Sequence, residues 1–513
     1  MPAMSAALNN EDSSIASRWP GQLAAVDLGS NSFRLEIGQW HQERYRRIDY
    51  LKETVRLGAG LDENAFLTEE ATQRGLACLA RFAKRLQGFA PSQVRAVATQ
   101  TLREARNRDA FLARARNVLG YPIEVISGRE EARLIYAGVA RLQPSEKPRL
   151  VIDIGGRSTE MILGRGRVPL RAESFQVGSV SLSMKNFGDG RFGEAAFRAA
   201  QVAAGAELEE ALEPFAPAHW VEALGSSGTV GAVSQLLAAS AVTDGRITPS
   251  GLRWLMEQCL RAGRVDRLVL TGLKDERRPV IAGGLAILYT LAMHFGIDQL
   301  LPARGALRQG VIFDLDERRL AATEEAEGHD IRDASVRELQ RRFMVDVEQA
   351  ERVWAVAEAL YHRVRPDADH ESRRELQWAC ALHEVGMTVS HHDHHRHSAY
   401  VIAHVDAPGF SQSQQRRLAA LVLAQRGGLR KVEVSLAQDE VAWQVLCLRL
   451  AIIVCHARAV MDPEALGLRR SGGVATLQVP PSWAQTHPRT MHLLNEEAAA
   501  WERGGPLRLQ LNS

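Results

Sequence analysis

Two carboxylates flank a turn of small residues in the stretch 151–160, VIDIGGRSTE. Asp153 lies in an apolar run typical of a strand, and Glu160 follows the turn at 155–159. Glycines let backbone N–H groups approach a ligand closely, and several such groups pointing one way bind an anion. Carboxylates repel phosphate unless a divalent cation lies between them, and Mg²⁺ is usually held by one or two carboxylates with phosphate and water. The stretch therefore predicts a phosphate-binding turn whose flanking acids hold its metal ion.

The same pattern occurs earlier in the chain. Residues 24–38, AAVDLGSNSFRLEIG, match residues 150–164, LVIDIGGRSTEMILG, at an offset of about 126 residues, so that Asp27 corresponds to Asp153. A third glycine turn follows at 224–230, LGSSGTV. We interpret the repeat as two similar α/β halves whose Asp-bearing hairpins face a shared cleft. The alternative is that the two Asp residues only brace their own hairpins.

A further pair of acids lies in ISGREEARLI, residues 126–135, where a strand gives way to a helix. Acids in the first turn of a helix often only complement its dipole. Hydrolysis of a phosphoanhydride, however, needs a carboxylate that orients the attacking water. Glu130 and Glu131 are both candidates for that role.

The elements that must position these residues alternate between strands and helices, which predicts an α/β fold. Strands are expected at 23–28, 33–38, 94–99, 122–126, 150–154 and 160–164, and helices at 68–88, 101–118 and 129–141.

Strand signals end near residue 316, beyond which helices such as 334–363 and 371–383 dominate. Short alternating runs return at 474–480 and 506–511. The predicted organisation is a disordered tail at 1–20, α/β halves at 21–136 and 137–318, a helical domain at 319–465 and a small C-terminal α+β domain at 466–513.

The composition excludes several classes of protein. The net charge of +2 gives no overall field for nucleic acid, and the five scattered cysteines argue against a thiolate metal site and for a reducing compartment. The N-terminus has no apolar signal segment, and the apolar stretch 281–293 is shorter than a membrane span, so a buried helix is expected there. We expect a cytoplasmic protein that does not bind nucleic acid.

Six motifs taken together resemble the exopolyphosphatase / guanosine pentaphosphate phosphohydrolase family over roughly 20–510: AAVDLGSNSFRLEIG, ATQTLREA, ISGREEARLIYAGV, VIDIGGRSTE, GSSGTV and GALRQGV. The resemblance implies two halves of the ribonuclease H-like fold that actin, sugar kinases and chaperone ATPases share. It implies release of terminal phosphate from inorganic polyphosphate or pppGpp, with Mg²⁺ alone or with a monovalent cation such as K⁺. The helical part resembles that of the long members, whose third domain is related to HD-type phosphohydrolases. A homodimer and peripheral association with the inner membrane face are family expectations.

The resemblance also assigns roles by position. Glu131 matches the catalytic glutamate that activates water, and Glu160 matches a second essential acid. Metal-binding acids are expected at Asp153, Glu160 and Asp27. Phosphate-binding positions are expected at Asn31, Ser32, Arg103, Gly155, Gly156, Arg157, Ser158, Thr159, Gly228 and Thr229.

Four residues depart from the pattern of the family. Arg157 replaces a glycine or alanine in the second turn, and we expect it to contact phosphate. Gln100 stands where His or Ala is common, and Arg304 and Gln309 replace acids, which makes the cleft less negative and favours a longer polyanion.

The helical part contains the pair His383-Glu384 and the run HHDHHRH at 391–397. An HD metal site requires a His-Asp pair, so the signature is degraded, and we expect a surface loop rich in histidine. Arginines such as Arg416, Arg417 and Arg430 could line a channel for polyphosphate, although each could equally lie on a solvated helix face.

The sequence thus predicts a processive exopolyphosphatase. The nearest alternative is a pppGpp 5′-phosphohydrolase. A kinase of the same fold and a non-catalytic polyphosphate-binding regulator are the alternatives from other classes.

Overall fold

The computed structural model describes residues 19–41, 44–321, 330–459 and 462–512. The chain forms two compact units, Met1–Arg319 and Leu320–Ser513, which are described separately. Almost all of the predicted tail at 1–20 lies outside the described residues, as do residues 322–329 near the predicted start of the helical domain.

The first unit contains two five-stranded sheets with the same topology. The first has the order β3-β2-β1-β4-β5, with an antiparallel meander β1 (Gln22–Leu28), β2 (Ser32–His41), β3 (Arg44–Thr54) and the parallel additions β4 (Val94–Ala98), β5 (Ile123–Val125). The second has the order β8-β7-β6-β9-β10, with the meander β6 (Arg149–Ile154), β7 (Thr159–Arg165), β8 (Val168–Phe175) and the parallel additions β9 (Glu222–Ser226), β10 (Leu300–Pro302). The interpretation of the repeat as two similar α/β halves is confirmed.

Helices connect these strands. In the first half they are α1 (Glu69–Arg85), α2 (Gln100–Glu104), α3 (Arg108–Leu119) and α4 (Gly128–Leu142). In the second half they are α5 (Ser179–Phe187), α6 (Glu194–Leu208), α7 (Gly228–Ala239), α8 (Pro249–Ala262), α9 (Ile281–His294) and α10 (Leu307–Ala321). The single helix predicted at 101–118 is wrong, because the chain is interrupted where the Asn107 side chain bonds to both backbone groups of Leu67, at 2.9 and 3.0 Å.

Helices α4 and α10 pack with their backbones almost in contact. A Cβ atom at Gly310 would lie 1.7 Å from the carbonyl oxygen of Leu134, and one at Gly138 would lie 2.4 Å from that of Ala306. Only glycine permits this approach, since any side chain would force the helices apart. The contact fixes α4, the helix that carries Glu131.

The second unit is mainly helical. Its helices are α11 (Ile331–Arg342), α12 (Val347–Val364), α13 (His370–Leu382), α14 (His394–His404), α15 (Gln412–Ala424), α16 (Glu433–Leu436), α17 (Asp439–Val454), α18 (Pro481–Thr486) and α19 (Pro488–Gly504). A sheet of order β11-β12-β13 consists of β11 (Gly467–Ser471), β12 (Val474–Gln478) and β13 (Arg508–Asn512).

The helix predicted at 334–363 is divided into α11 and α12. Met344 has a φ of 50°, which an α-helix does not allow, and the Asp346 side chain caps α12 by accepting from the backbone N–H of Gln349. The terminal sheet shares one hydrophobic core with the helices, since Leu477 and Trp501 pack in the same buried cluster as Trp443. Residues from 466 onward therefore do not have a core of their own.

Among the described residues, none of the helices has both the length and the apolar character needed to cross a bilayer.

Candidate active site

A polar cleft of about 400 Å³ lies between the halves of the first unit. Its walls include the three turns that the sequence singled out. The expected site residues that line it are Asp27, Asn31, Ser32, Glu131, Asp153, Gly155, Gly156, Ser158, Gly228 and Thr229. Residues more than 200 positions apart are thus brought to one cavity.

Asp153 and Glu160 face each other across the second hairpin. They are directly paired in the antiparallel register of β6 and β7, so both side chains project from the same face of the sheet. Burial raises the pKa of Asp153 to about 7, and the charge of Glu131 adds to the shift. Burial also raises the pKa of Glu160 well above its ordinary value, with added repulsion from Glu131 and Asp153. The Ser174 hydroxyl donates to Glu160 Oε1 at 2.8 Å.

The first hairpin carries an ion pair at the equivalent position. Asp27 is paired in register with Arg34, whose Nη1 lies 3.3 Å from Asp27 Oδ2. Arg308 Nη1 lies 3.7 Å from the same oxygen. Because two guanidinium groups already balance this carboxylate, the structure does not support the expected role of Asp27 as a metal ligand.

Glu131 projects into the cleft from the first turn of α4. This helix starts where the Ser127 hydroxyl accepts from the backbone N–H of Glu130. Burial raises the pKa of Glu131 and the charge of Asp27 adds to the shift, while Arg103 acts to lower it. The other candidate, Glu130, is 2% exposed and pairs with Arg133 at 2.7 Å. Of the two acids, only Glu131 faces the cleft.

Arg103 binds the catalytic candidate and not the cleft. Its Nη1 donates to Glu131 Oε2 at 2.9 Å and to the carbonyl oxygen of Ile126 at 3.0 Å. Its Nε and Nη2 both donate to Gln100 Oε1. All of these donors are directed at protein acceptors, and the expected phosphate contact at Arg103 stays a prediction.

The first and second turns touch each other. A Cβ atom at Gly156 would lie 3.3 Å from Ser30 Cβ and 3.7 Å from Asn31 Cβ, so a larger residue would separate the turns. Among the described residues, the buried Ser32 hydroxyl has no hydrogen-bond partner. A buried hydroxyl normally has one, so this atom could accept or donate a bond to a polar ligand in the cleft.

The third turn is held in an unusual backbone conformation. Ser227 has a φ of 142°, which non-glycine residues rarely adopt, and its hydroxyl caps α7 by accepting from Thr229 N and Val230 N. A Cβ atom at Gly228 would lie 2.1 Å from Arg277 Nη2. This glycine therefore lets the Arg277 guanidinium lie against the turn.

Comparison with known proteins agrees with these features. The model of the Ppx/GppA phosphatase family matches residues 40–319, and the model of Ppx/GppA phosphatase domain III matches residues 331–498. The chain belongs to the Ppx/GppA phosphatase family. Presence of the domain III region places it among the long members.

Two solved structures are similar to this Ppx/GppA phosphatase. An exopolyphosphatase from Cytophaga hutchinsonii ATCC 33406 is 24% identical, with 57% of this chain and 98% of the other covered and a TM-score of 0.52. An exopolyphosphatase-like protein is also 24% identical, with 59% and 99% covered and a TM-score of 0.53. These likenesses show that the fold is shared.

Two further residues of the second turn that were expected to bind phosphate, Thr159 and Arg157, have partners within this Ppx/GppA phosphatase, and their phosphate contacts stay predictions. The Thr159 hydroxyl is buried and donates to the carbonyl oxygen of Val177 at 2.6 Å, because strand alternation turns it away from the face that carries Glu160. The Arg157 guanidinium binds Glu104, with Nη2 2.6 Å and Nε 3.0 Å from Oε2. Arg157 does not line the cleft.

Sequence reasoning missed most of the cations in the cleft. Within the part of the chain that the structure describes, its lining includes six basic side chains: Arg34, Arg47, Lys52, Arg277, Arg304 and Arg308. The lining carboxylates there are Asp27, Glu131 and Asp153. The repeat contained one indication of a cation in the cleft, since Arg34 aligns with Glu160. Arg47 and Lys52 could not be found, because β3 was not predicted.

Of the two facing acids of the second hairpin, Asp153 lines the cleft, whereas Glu160 is 1% exposed and is not part of the lining. In the described ranges, no group of three or more His, Cys, Asp or Glu side chains is arranged to hold a metal ion. The facing pair Asp153 and Glu160 supplies two carboxylates, which is the number that Mg²⁺ commonly takes from protein when phosphate and water complete its shell. Repulsion from Asp153 adds to the raised pKa of Glu160, so a cation beside the pair would stabilise their charged forms.

The histidine run of the second unit is only partly a surface loop. His391 and His392 are exposed, whereas His394 and His395 are buried at the start of α14. His383 is buried with its Nδ1 2.6 Å from the carbonyl oxygen of Cys380. Of the arginines considered for a channel, Arg417 pairs with Glu375 at 2.6 Å.

Proposed function

We propose that this Ppx/GppA phosphatase is an exopolyphosphatase that removes the terminal phosphate of inorganic polyphosphate processively. The observation that carries the proposal is the cleft itself, where glycine turns, a buried carboxylate and six cationic side chains meet. Cations in a confined cleft raise the local concentration of a polyanion. The negative charges of a chain of phosphates complement these cationic side chains.

Glu131 is the proposed general base. Its raised pKa makes the carboxylate a better proton acceptor than an exposed glutamate. The ion pair with Arg103 fixes one oxygen and leaves the other available to orient water for in-line attack on the terminal phosphorus. The proton of the attacking water passes to Glu131.

The turns are proposed to bind the phosphoryl oxygens. Gly155, Gly156 and Gly228 allow close approach of backbone N–H groups, and the unpartnered hydroxyl of Ser32 donates beside them. Asn31 adds a side-chain amide at the same junction. Donors fixed before the substrate arrives stabilise the charge that develops during transfer.

Asp153 and Glu160 are the residues proposed to hold Mg²⁺. When bound, the ion neutralises charge on the phosphoryl oxygens. Asp27 is left out of this set because Arg34 and Arg308 balance its charge.

A pppGpp 5′-phosphohydrolase is the second candidate, and one feature favours it. A second pocket of about 300 Å³ shares Ser30 and Asn31 with the phosphate cleft. Its other walls include the apolar side chains of Met184, Phe187 and Val265. Apolar walls beside a phosphate site suit a nucleoside.

The deciding experiment measures phosphate release with Mg²⁺ from long-chain polyphosphate and from pppGpp at matched terminal-group concentrations. Processive action predicts that long chains disappear without intermediate lengths. Preference for pppGpp would replace the first proposal by the second. Consumption of ATP that depends on an added acceptor, with the phosphate transferred to that acceptor, would indicate a kinase. Chain binding without phosphate release would indicate a regulator.

Glu131→Gln tests the assignment of the base. We expect kcat to fall about 10²- to 10⁴-fold, the usual contribution of a general base, with an unchanged far-UV circular dichroism spectrum. Glu209→Gln, on an exposed residue away from the cleft, is the matched control. Full activity of the Glu131 variant would overturn the mechanism.

A further inference from the structure

Two departures from the family pattern, Arg157 and Gln100, meet at one carboxylate. Arg157 Nη2 donates to Glu104 Oε2 at 2.6 Å, and Gln100 Nε2 donates to Glu104 Oε1 at 2.6 Å. The Arg157 side chain reaches across from the second half, since its Nη1 lies 3.4 Å from the carbonyl oxygen of Gly58 in the first half. Both unusual residues therefore serve the same acid.

The connection continues from Gln100 to the catalytic candidate. Gln100 Oε1 accepts from Arg103 Nη2 at 2.6 Å and from its Nε at 3.0 Å. Arg103 Nη1 then donates to Glu131 Oε2 at 2.9 Å. One unbroken series of side-chain contacts thus links the second phosphate turn to the proposed base.

The orientation of the Gln100 amide depends on Glu104. An amide offers two donors on nitrogen and one acceptor on oxygen, so its partners decide which way it points. Because a carboxylate only accepts, Glu104 must face the Nε2 group. The Oε1 atom is then directed at Arg103, where it holds the guanidinium against Glu131.

Arg157 also affects which carboxylate, Glu104 or Glu131, the Arg103 guanidinium pairs with. Glu104 adjoins Arg103 in sequence, and an unbalanced charge there would attract the Arg103 guanidinium away from Glu131. The Arg157 ion pair supplies Glu104 with a guanidinium of its own. Arg103 is then left to Glu131, with which it forms an ion pair whose side chains are each 11% exposed.

We propose that Arg157 is a positioning residue that holds the proposed base Glu131 in place through Glu104, Gln100 and Arg103, and that it makes no contact with substrate phosphate. The inference rests on the proposed phosphohydrolase function, and it applies to either substrate. It explains why an arginine is accommodated in a turn where the family has a small residue.

Steady-state kinetics of Arg157→Gly, Gln100→Ala and the double variant test the proposal, with whichever of polyphosphate and pppGpp the wild type hydrolyses. We expect Arg157→Gly to lower kcat about three- to tenfold with KM changed less than about twofold, because geometry at the base is lost and binding is kept. The loss in the double variant should be smaller than the product of the two single losses, since both changes act on the same guanidinium, that of Arg103. Arg157→Lys, which keeps the charge on Glu104, should restore most of kcat.

Arg246→Gly is the matched control, because it removes a comparable 2.8 Å ion pair with Asp244 outside the cleft. Melting temperatures of all variants identify any that fail to fold. If Arg157→Gly fails to fold, Arg157→Lys still tests the proposal. A raised KM with unchanged kcat, or effects that multiply in the double variant, would mean that Arg157 touches phosphate and would overturn the inference. A wild type that is inactive on both substrates would overturn the proposed function as well as this inference. If the wild type is active and Arg157→Gly has the same kcat and KM, this inference alone is overturned.

Discussion

Removal of the Asp153 charge should make the metal-free protein more stable near neutral pH. Burial raises the pKa of the Asp153 carboxyl from 3.8 to about 7, and the charges of Glu131 and Asp27 add to the shift. An acid whose pKa is higher in the folded state binds its proton more tightly there. Its favourable contribution is complete below about pH 4 and is lost as the pH rises through 7. Asp153→Asn is neutral throughout and should not show this loss.

The size of the effect follows from the shift. Each pKa unit corresponds to about 1.4 kcal/mol, so a shift from 3.8 to about 7 corresponds to about 4 kcal/mol between pH 4 and 7. The first unit spans Met1–Arg319. With an unfolding entropy of roughly 2 cal/mol/K per residue, 4 kcal/mol corresponds to about 6 °C in Tm.

Scanning calorimetry in EDTA at half-unit steps from pH 4 to 8 measures this difference. The Tm of the wild type should fall relative to that of Asp153→Asn by about 6 °C over the range. Mg²⁺ should reduce the fall in the wild type, because the ion binds the charged pair and stabilises the folded state. Parallel Tm curves for the two proteins would refute the reasoning, since they would mean that Asp153 titrates alike in the folded and unfolded states.

Two further outcomes are expected. Asp314→Asn should cost about 3–5 kcal/mol in urea unfolding, because Arg95, Arg133 and Arg318 share this buried carboxylate and would lose its charge; a loss below about 1 kcal/mol would contradict this account. Gly156→Val should raise KM about tenfold or more, because its side chain would push against Ser30 and separate the phosphate turns. Gly193→Val, where nothing lies within 4 Å of an added Cβ, should leave KM unchanged.

The parts of the fold that the sequence predicted are those encoded by local pattern. Apolar runs ending in Asp and glycine turns located β1, β2, β6 and β7, and their repetition predicted two halves around a cleft. The third strand of each meander was missed. These strands lie at sheet edges, and β3 in particular is largely exposed, so neither has the apolar alternation that marks a strand.

The side-chain partners within the site could not be predicted in the same way. Arg157 and Glu104 are 53 positions apart, and only the packing of the two halves decides that the guanidinium reaches this acid and not the cleft. Arg103 was expected to bind phosphate from its match to the family pattern, and that match does not show that its Nη1 lies 2.9 Å from Glu131 Oε2. The choice depends on directions and distances that no local pattern contains.

Asp27 shows a different limit. The repeat makes it equivalent to Asp153, and the equivalence is correct for the backbone. Its chemistry differs because the residue opposite is Arg34 in one hairpin and Glu160 in the other. Reading the partner strand along with the motif would have separated the two roles.

The two hairpins of the repeat differ in the charge of the residue that faces the shared Asp. Two identical copies related by symmetry would present the same charge from both walls of the cleft. One divergence, Arg34 in the first hairpin and Glu160 in the second, gives the two hairpins charges of opposite sign. The asymmetry is confined to the hairpins, because Arg277, Arg304 and Arg308 of the second half also line the cleft.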